Sequence, residues 1–448
     1  MSKARLDGLY LVLLGSAAFV LLGTVLANSS SVAMVDFRVN YYPARCLMQN
    51  CDPYDESQVL RIARAEGGEL PGDIANANHF ARYLYLPAAF LFTLPFAALP
   101  WGLAHLLWVA LMAGSLILGA VLMWDLGANW APVISGALIG FLLANSELLM
   151  VLGNMAGFAI GLSMVAVWCF LRRRFVPAGI LCLAISLAIK PQDAGLVWLY
   201  FLLAGGVYRK RALQTLLAAV ALSLPGVLWV WQVSPRWMQE LHSNLLAFSA
   251  HGSQTDPRLA SMGFRGLGMM INLQTAVSAF WSEPRIYNLV TYLICGPLLL
   301  AWVLVTLRSR SSAARTWVAL AAIAALSMLP VYHHQYDAKL LLLTVPACAM
   351  LWAEGGVIGW LALLLNTAGF VLTGDISWIA LLGLMHRLLP ASSALSAQIP
   401  TAMQVFSAPL ILLLMAIFYL WIYVKRGPRI VQLLVSAESD EAPLALTS

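Results

Sequence analysis

LDGLYLVLLGSAAFVLLGTVLA (residues 6–27) is followed after a short gap by DFRVNYYPARCLMQNCDPYDE (residues 36–56), and this pair of stretches decides how the chain is read. The first is apolar over the roughly 20 residues that a bilayer core demands. It is longer than the roughly 7–15 residue apolar region of a secretory signal, so it reads as an uncleaved first span despite the Val25-Leu26-Ala27 ending. The second stretch is crowded with charge. Asp36, Arg38, Arg45, Asp52, Asp55, Glu56, Arg61, Arg64 and Glu66 all fall within it or just beyond it. A chain that shuns charge elsewhere and gathers it in one aqueous loop places its chemistry at that loop.

Composition supports a polytopic membrane protein. Hydrophobic residues make up 61% of the 448 and charged residues 10%, against about 25% charged in soluble domains. The net charge of +6 is not a nucleic-acid signature. Its cations sit in short clusters beside apolar runs: Lys3/Arg5, Arg172–Arg174, Arg209–Arg211, Arg308/Arg310/Arg315 and Lys425/Arg426/Arg429. That is the placement the positive-inside rule predicts. Apolar runs follow the first span at about 101–124, 131–150, 153–171, 175–191, 193–208, 212–232, 286–307, 313–331, 337–353, 356–373 and 404–424. The expected fold is therefore an all-α polytopic integral membrane protein with about 10–12 spans, its outer loops carrying short amphipathic helices. Residues 1–430 form one transmembrane domain, both termini lie inside, and residues 431–448 form a polar, disordered cytoplasmic tail.

Residues 28–80 are the first outer loop, within which Val59, Leu60, Ile62 and Ala63 recur at helical spacing among charges, predicting a surface helix over 57–66. Residues 84–99 are apolar but contain Pro87 and Pro95, with Pro100 next, and read as a re-entrant or interfacial element. Residues 233–284 form a second outer loop, and 375–400, with Asp375, His386 and Arg387, is placed outside as well. Four cysteines lie in apolar spans. Cys46 and Cys51 share the first loop and would bridge in an oxidising compartment, a pairing the sequence leaves open.

On this topology Asp36, Arg38, Arg45, Asp52, Lys190, Gln192, Asp193, His242, His251, Arg265, His333, His334, Asp337 and Asp375 converge on the outer face. Ionisable groups at span ends are costly to bury and mark functional sites. A snorkelling lysine would explain Lys190 alone, but Gln192 and Asp193 beside it favour a site. Tyr332-His333-His334-Gln335-Tyr336-Asp337 is the densest polar turn between two spans. Adjacent histidines diverge on a helix, so phosphate binding or substrate hydrogen bonding is favoured there over a metal.

These residues carry a resemblance. An Asp soon after the first span, a tyrosine pair, then Asp52-Pro53-Tyr54, Gly153-Asn154, the run Leu183–Pro191 ending in Lys190, and the late His333/His334 turn together resemble glycosyltransferase family 87. Here Asn154 follows Gly153 directly, where the family often has Gly-Gln-x-Asn. The resemblance implies a GT-C-type helix bundle with its active site at the outer face of a bacterial plasma membrane. It implies transfer of mannose or a pentofuranose from a polyprenyl-phosphate-sugar donor to a glycolipid or lipid-linked glycan, with no cofactor and no metal. Carried over, Asp36 would be the general base, preferred over Asp52, which suits a turn cap. Lys190, His333 or His334, Arg38 and Arg45 would hold the donor phosphate. Tyr41, Tyr42, Asp52, Tyr54, Asn154, Gln192 and Asp337 would line the substrate site. The proline-broken run 84–99 would line the lipid groove, and in-line attack would invert the sugar carbon. The competing readings are an O-antigen-ligase-like transferase, with its chemistry in a large late loop, and a transporter or flippase of lipid-linked sugars, which would place charge near the midplane.

Overall fold

A computed structural model describes residues 2–30, 33–67, 82–250, 252–253, 255–259, 270–309, 312–388 and 395–440. Helix α1, Lys3–Ser29, realises the first apolar run. At 1.5 Å per residue it is about 40 Å long, enough to cross the hydrocarbon core. Its neighbour α6, Pro132–Leu143, lies close because both helices present glycines. A Cβ on Gly15 would fall 2.2 Å from the Gly140 carbonyl oxygen, and one on Gly136 would fall 2.2 Å from that of Gly8. With lipid on the outside there is little hydrophobic drive between helices, so such close backbone packing supplies the contact.

The chain then forms α2, Val35–Met48, and α3, Glu56–Ala65, outside the long spans. Asp55 caps α3 by accepting from the Ser57 amide at 2.9 Å, and Val59, Ile62 and Ala63 form its buried side. Cys46 and Cys51 are joined as a disulfide, their Cα atoms 5.0 Å apart. Helix α4, Ala88–Ala97, is ten residues long, far short of a crossing, and packs on α2 with its break-inducing Pro95 inside. The order continues with α5 (Trp101–Gly127), α6, α7 (Glu147–Leu152), α8 (Ala156–Arg172), α9 (Val176–Ile189), α10 (Pro191–Leu203) and α11 (Gly206–Val233). After α12 (Trp237–Phe248) and α13 (Leu273–Ser278) come α14 (Pro284–Arg308) and α15 (Ala313–Ser327). A 3-10 segment, Gln335–Thr344, leads into α16 (Val345–Glu354), followed by α17 (Gly356–Leu372), α18 (Asp375–Leu388) and α19 (Leu395–Asp440).

No strand occurs among the described residues. Seven helical stretches there are long and apolar enough to cross a membrane, eight if α17 and α18, bent by 81° at their junction, count as one broken span. The expectation of about 10–12 spans also counts apolar runs whose helices are shorter than these. Four of the expected spans fold as α8, α9, α10 and α15, only 17, 14, 13 and 15 residues long. At 1.5 Å per residue these reach about 20–26 Å, less than the core thickness. Polar or helix-breaking residues bound the first three of these: Asn154, Arg173, Lys190-Pro191 and Gly205-Gly206. The last helix runs on to Asp440 where a disordered tail is expected from residue 431; its Ile430-Val431-Gln432-Leu433-Leu434 segment is made of residues a helix tolerates. Residues 441–448 of that tail, and 68–80 of the first loop, lie outside the described residues.

Candidate active site

Asp36 occupies the first turn of α2, where its placement depends on the junction between α7 and α8. Gly153 there has φ +67°, and a Cβ on it would meet Met34 Cε at 2.7 Å and Phe37 Cβ at 3.0 Å. Only glycine lets α2 sit this close. Trp108 Nε1 holds the Gly153 carbonyl at 2.8 Å, and the Met34 amide donates to Val151 O at 2.6 Å. The next residue, Asn154, accepts from the Ala156 amide through Oδ1 at 2.8 Å and donates through Nδ2 to Asp36 Oδ2 at 2.7 Å. A backbone N–H can only donate, so the amide has one orientation, with its nitrogen toward the carboxylate. Burial pushes the Asp36 carboxyl up to about 6, against the pull of Asn154 and of the Lys190 charge. A carboxylate poised there is a competent base near neutral pH.

Lys190 sits between α9 and α10, its backbone extended ahead of Pro191. Its ammonium is paired with Asp337 Oδ1, lies 3.2 Å from Asp193 Oδ2, and stands 5.1 Å from the Tyr336 ring centroid. Asp337 also accepts from the His334 amide at 2.9 Å. Behind them His333 Nε2 lies 3.3 Å from Asp193 Oδ1, and Nδ1 lies 3.2 Å from Val331 O. Burial works against a charged imidazole, but the Asp193 bond and the Asp337 charge outweigh it and raise the His333 pKa. Asp193, His333 and Asp337 present ligand atoms within 4.8 Å of one another, a set that suits a metal ion. The Lys190 ammonium touches both carboxylates, however, and already supplies the positive charge that a metal would bring.

A cavity of about 810 Å³ opens onto these groups. Of the site residues expected from sequence, Asp36, Asn154, Lys190, Gln192, His334 and Asp337 line it. The others do not, and each is engaged elsewhere. His333 is fully buried behind the wall on Asp193. The Arg38 guanidinium stacks 5.5 Å from the Trp101 ring centroid, and Arg45 pairs with Glu66 at 2.6 Å and donates to Ala97 O at 3.0 Å. Tyr41 donates to Leu99 O at 2.8 Å, Tyr42 stacks on Trp101, and Asp52 accepts from the Tyr54 amide at 2.9 Å. Tyr54 donates to the carbonyl of Tyr85 at 2.8 Å, so it supports a wall residue without being one. Of the run 84–99, Leu84, Tyr85 and Leu86 line the cavity, while α4 packs on α2. His251 and Arg265 lie outside the described residues.

The cavity also recruits residues that the sequence did not single out as site residues. Tyr85 precedes the proline-broken run, Tyr336 stands beside the histidines, and Asn272 and Gln274 lie at the start of α13 within the second outer loop. Asp375, expected at the outer site, instead accepts from the Leu148 amide at 2.7 Å and lies 3.7 Å from Lys339 Nζ, bracing the break between α6 and α7.

Residues 83–331 match glycosyltransferase family 87. The matched region holds Asn154, Lys190, Gln192 and Asp193, and ends just before His333; Asp36 lies ahead of it. No curated protein and no solved structure matches the chain significantly. With more than half of the chain matched and an apolar helical bundle around it, the chain belongs to glycosyltransferase family 87 and is a membrane glycosyltransferase.

Proposed function

We propose that the chain transfers a sugar of the mannose or pentofuranose class from a polyprenyl-phosphate-sugar to a hydroxyl of a glycolipid or lipid-linked glycan. The observation that carries this reading is Asp36: a buried carboxylate on the wall of a large cavity, oriented by Asn154 and close in charge to Lys190. Asp36 takes the acceptor hydroxyl proton as that oxygen bonds to the anomeric carbon. The bond from that carbon to the phosphate oxygen breaks, its electron pair leaves with the phosphate, and attack from the opposite face inverts the centre.

Lys190 and His334 are the cavity groups nearest in kind to a phosphate clamp. Lys190 is already paired with Asp193 and Asp337, so a singly charged phosphodiester suits this wall better than a pyrophosphate. The basic clusters beside the apolar runs support cytoplasmic termini, and in a bacterial plasma membrane the site would then face the periplasm.

The test is transfer from radiolabelled polyprenyl-phosphate sugars to membrane lipid by purified wild type and Asp36→Asn. Loss of a positioned base should lower the rate by about 10²–10⁴-fold with folding intact. Equal transfer by both proteins removes Asp36 as the base, and no transfer from any donor overturns the reading.

A further inference from the structure

We propose that Asn272 and Gln274 form a recognition site for the hydroxyls of a neutral carbohydrate on the cavity wall; the proposal deepens the glycosyl-transfer reading and rests on it for the ligand's role. Both side chains line the cavity, and they are 3% and 4% exposed. Their orientations follow from their partners. Asn272 caps α13: its Oδ1 accepts from Thr275 Oγ1 at 2.7 Å and from the Thr275 amide at 3.3 Å. The backbone N–H can only donate, so the oxygen must face it, and Nδ2 is the end left over. Gln274 is held the opposite way. Its Nε2 donates to Pro330 O at 2.7 Å, which can only accept, and its Oε1 is buried with no hydrogen-bond partner among the described residues.

The segment itself is fixed. The Ile271 amide donates to His333 O at 3.0 Å, the Leu273 amide donates to Leu329 O at 2.9 Å, and Met270 and His334 form an antiparallel bridge. The two amides are thereby anchored to the turn that carries His334 and Asp337 into the same cavity as Asp36. Among the described residues one side chain offers an uncommitted donor and the other an uncommitted acceptor, and neither carries charge. A carbohydrate hydroxyl both accepts and donates, so neighbouring hydroxyls satisfy both ends, whereas a phosphate or carboxylate has nothing to give Gln274 Oε1. A buried acceptor without a partner is costly, and a hydroxyl removes that cost on binding.

The hydroxyls come from the donor sugar or from the acceptor glycan, and binding measurements separate the two. Wild-type protein in nanodiscs is titrated with octyl mannoside, glucoside, galactoside and arabinofuranoside, with octanol as the control. At least one glycoside should bind more tightly than octanol. Asn272→Asp keeps the cap oxygen and loses the donor, Gln274→Met loses the acceptor together with the bond to Pro330 O, and each should weaken glycoside binding about tenfold without changing octanol binding. Binding is read without transfer, so wild type that binds glycosides but transfers from no donor would leave the recognition site standing and remove the transfer reading. Competition by citronellyl-phosphate-mannose but not by citronellyl phosphate assigns the site to the donor sugar; absence of that competition assigns it to the acceptor. The proposal is overturned if wild type prefers no glycoside over octanol, or if either variant with wild-type thermal unfolding binds the glycosides unchanged.

Discussion

Asn154 Nδ2 and Asp36 Oδ2 lie 2.7 Å apart although 118 residues separate them in the chain. The opposite end of the same amide is fixed by the Ala156 amide at 2.8 Å, so Asn154 is a positioning residue that aims the first turn of α2 into the cavity. Asn154→Ala removes a hydrogen bond that favours the ionised carboxylate, and the Asp36 pKa, already about 6, rises further. The acid limb of kcat/KM should move up by about one pH unit, the size of a hydrogen bond to a charged group. A merely structural role for Asn154 would lower the rate without moving the limb.

The same carboxyl makes stability depend on pH. Its folded pKa of about 6 stands above the ordinary 3.8, because burial penalises the charge. Below pH 3.8 both states hold the proton and nothing is lost. As pH rises toward 6 the unfolded chain ionises first and the folded protein loses stability, and the deficit is complete above that value. A shift of about two units corresponds to about 3 kcal/mol. Asp36→Asn should therefore unfold at a higher temperature than wild type at pH 7.5, with the gap closing near pH 4. An unchanged gap across that range contradicts burial as the cause.

Gly153→Ala tests the close approach. Its Cβ would sit 2.7 Å from Met34 Cε, in a backbone conformation with φ +67° that favours glycine. A loss of about 1–3 kcal/mol is expected, from strain at a left-handed position and from crowding. Transfer should fall further than stability alone predicts, since the displaced Asn154 no longer meets Asp36. Thermal unfolding and single-turnover transfer measured on one preparation separate the two effects.

Much of this was legible as charge in the wrong solvent. Asp36, Lys190 and Asp337 stand out because an apolar chain does not spend ionisable groups without cause, and the structure gathers them around one cavity. The Asp55 cap and the buried side of α3 follow from local pattern alone. Tertiary pairing was not legible. Arg38 and Arg45 looked like phosphate ligands until Trp101 and Glu66 claimed them, and Tyr41 and Tyr42 turn into an aromatic core around Trp101. His333 and His334 are adjacent, yet one faces Asp193 behind the wall and the other faces the cavity, a division that depends on where Asp193 comes to lie. Helix length was not legible for a similar reason: hydropathy marks apolar segments but does not tell a long helix from a short one packed among its neighbours.

The Lys190 cluster allows the sharpest test of what occupies the metal-like triad. Lys190→Met leaves Asp193 and Asp337 facing each other, at 0% and 2% side-chain exposure, without their shared cation. Breaking a buried pair this way costs about 3–5 kcal/mol, so the variant should be recovered poorly from membranes. Adding Asp337→Asn removes one of the two orphaned charges and should restore part of the loss, because His333 still partners Asp193. If the ammonium is the resident cation, chelators leave wild-type transfer unchanged and divalent ions do not rescue Lys190→Met. Loss of wild-type transfer on chelation, restored by one divalent ion, would instead make Asp193, His333 and Asp337 a ligand set and Lys190 a neighbour that yields to the metal.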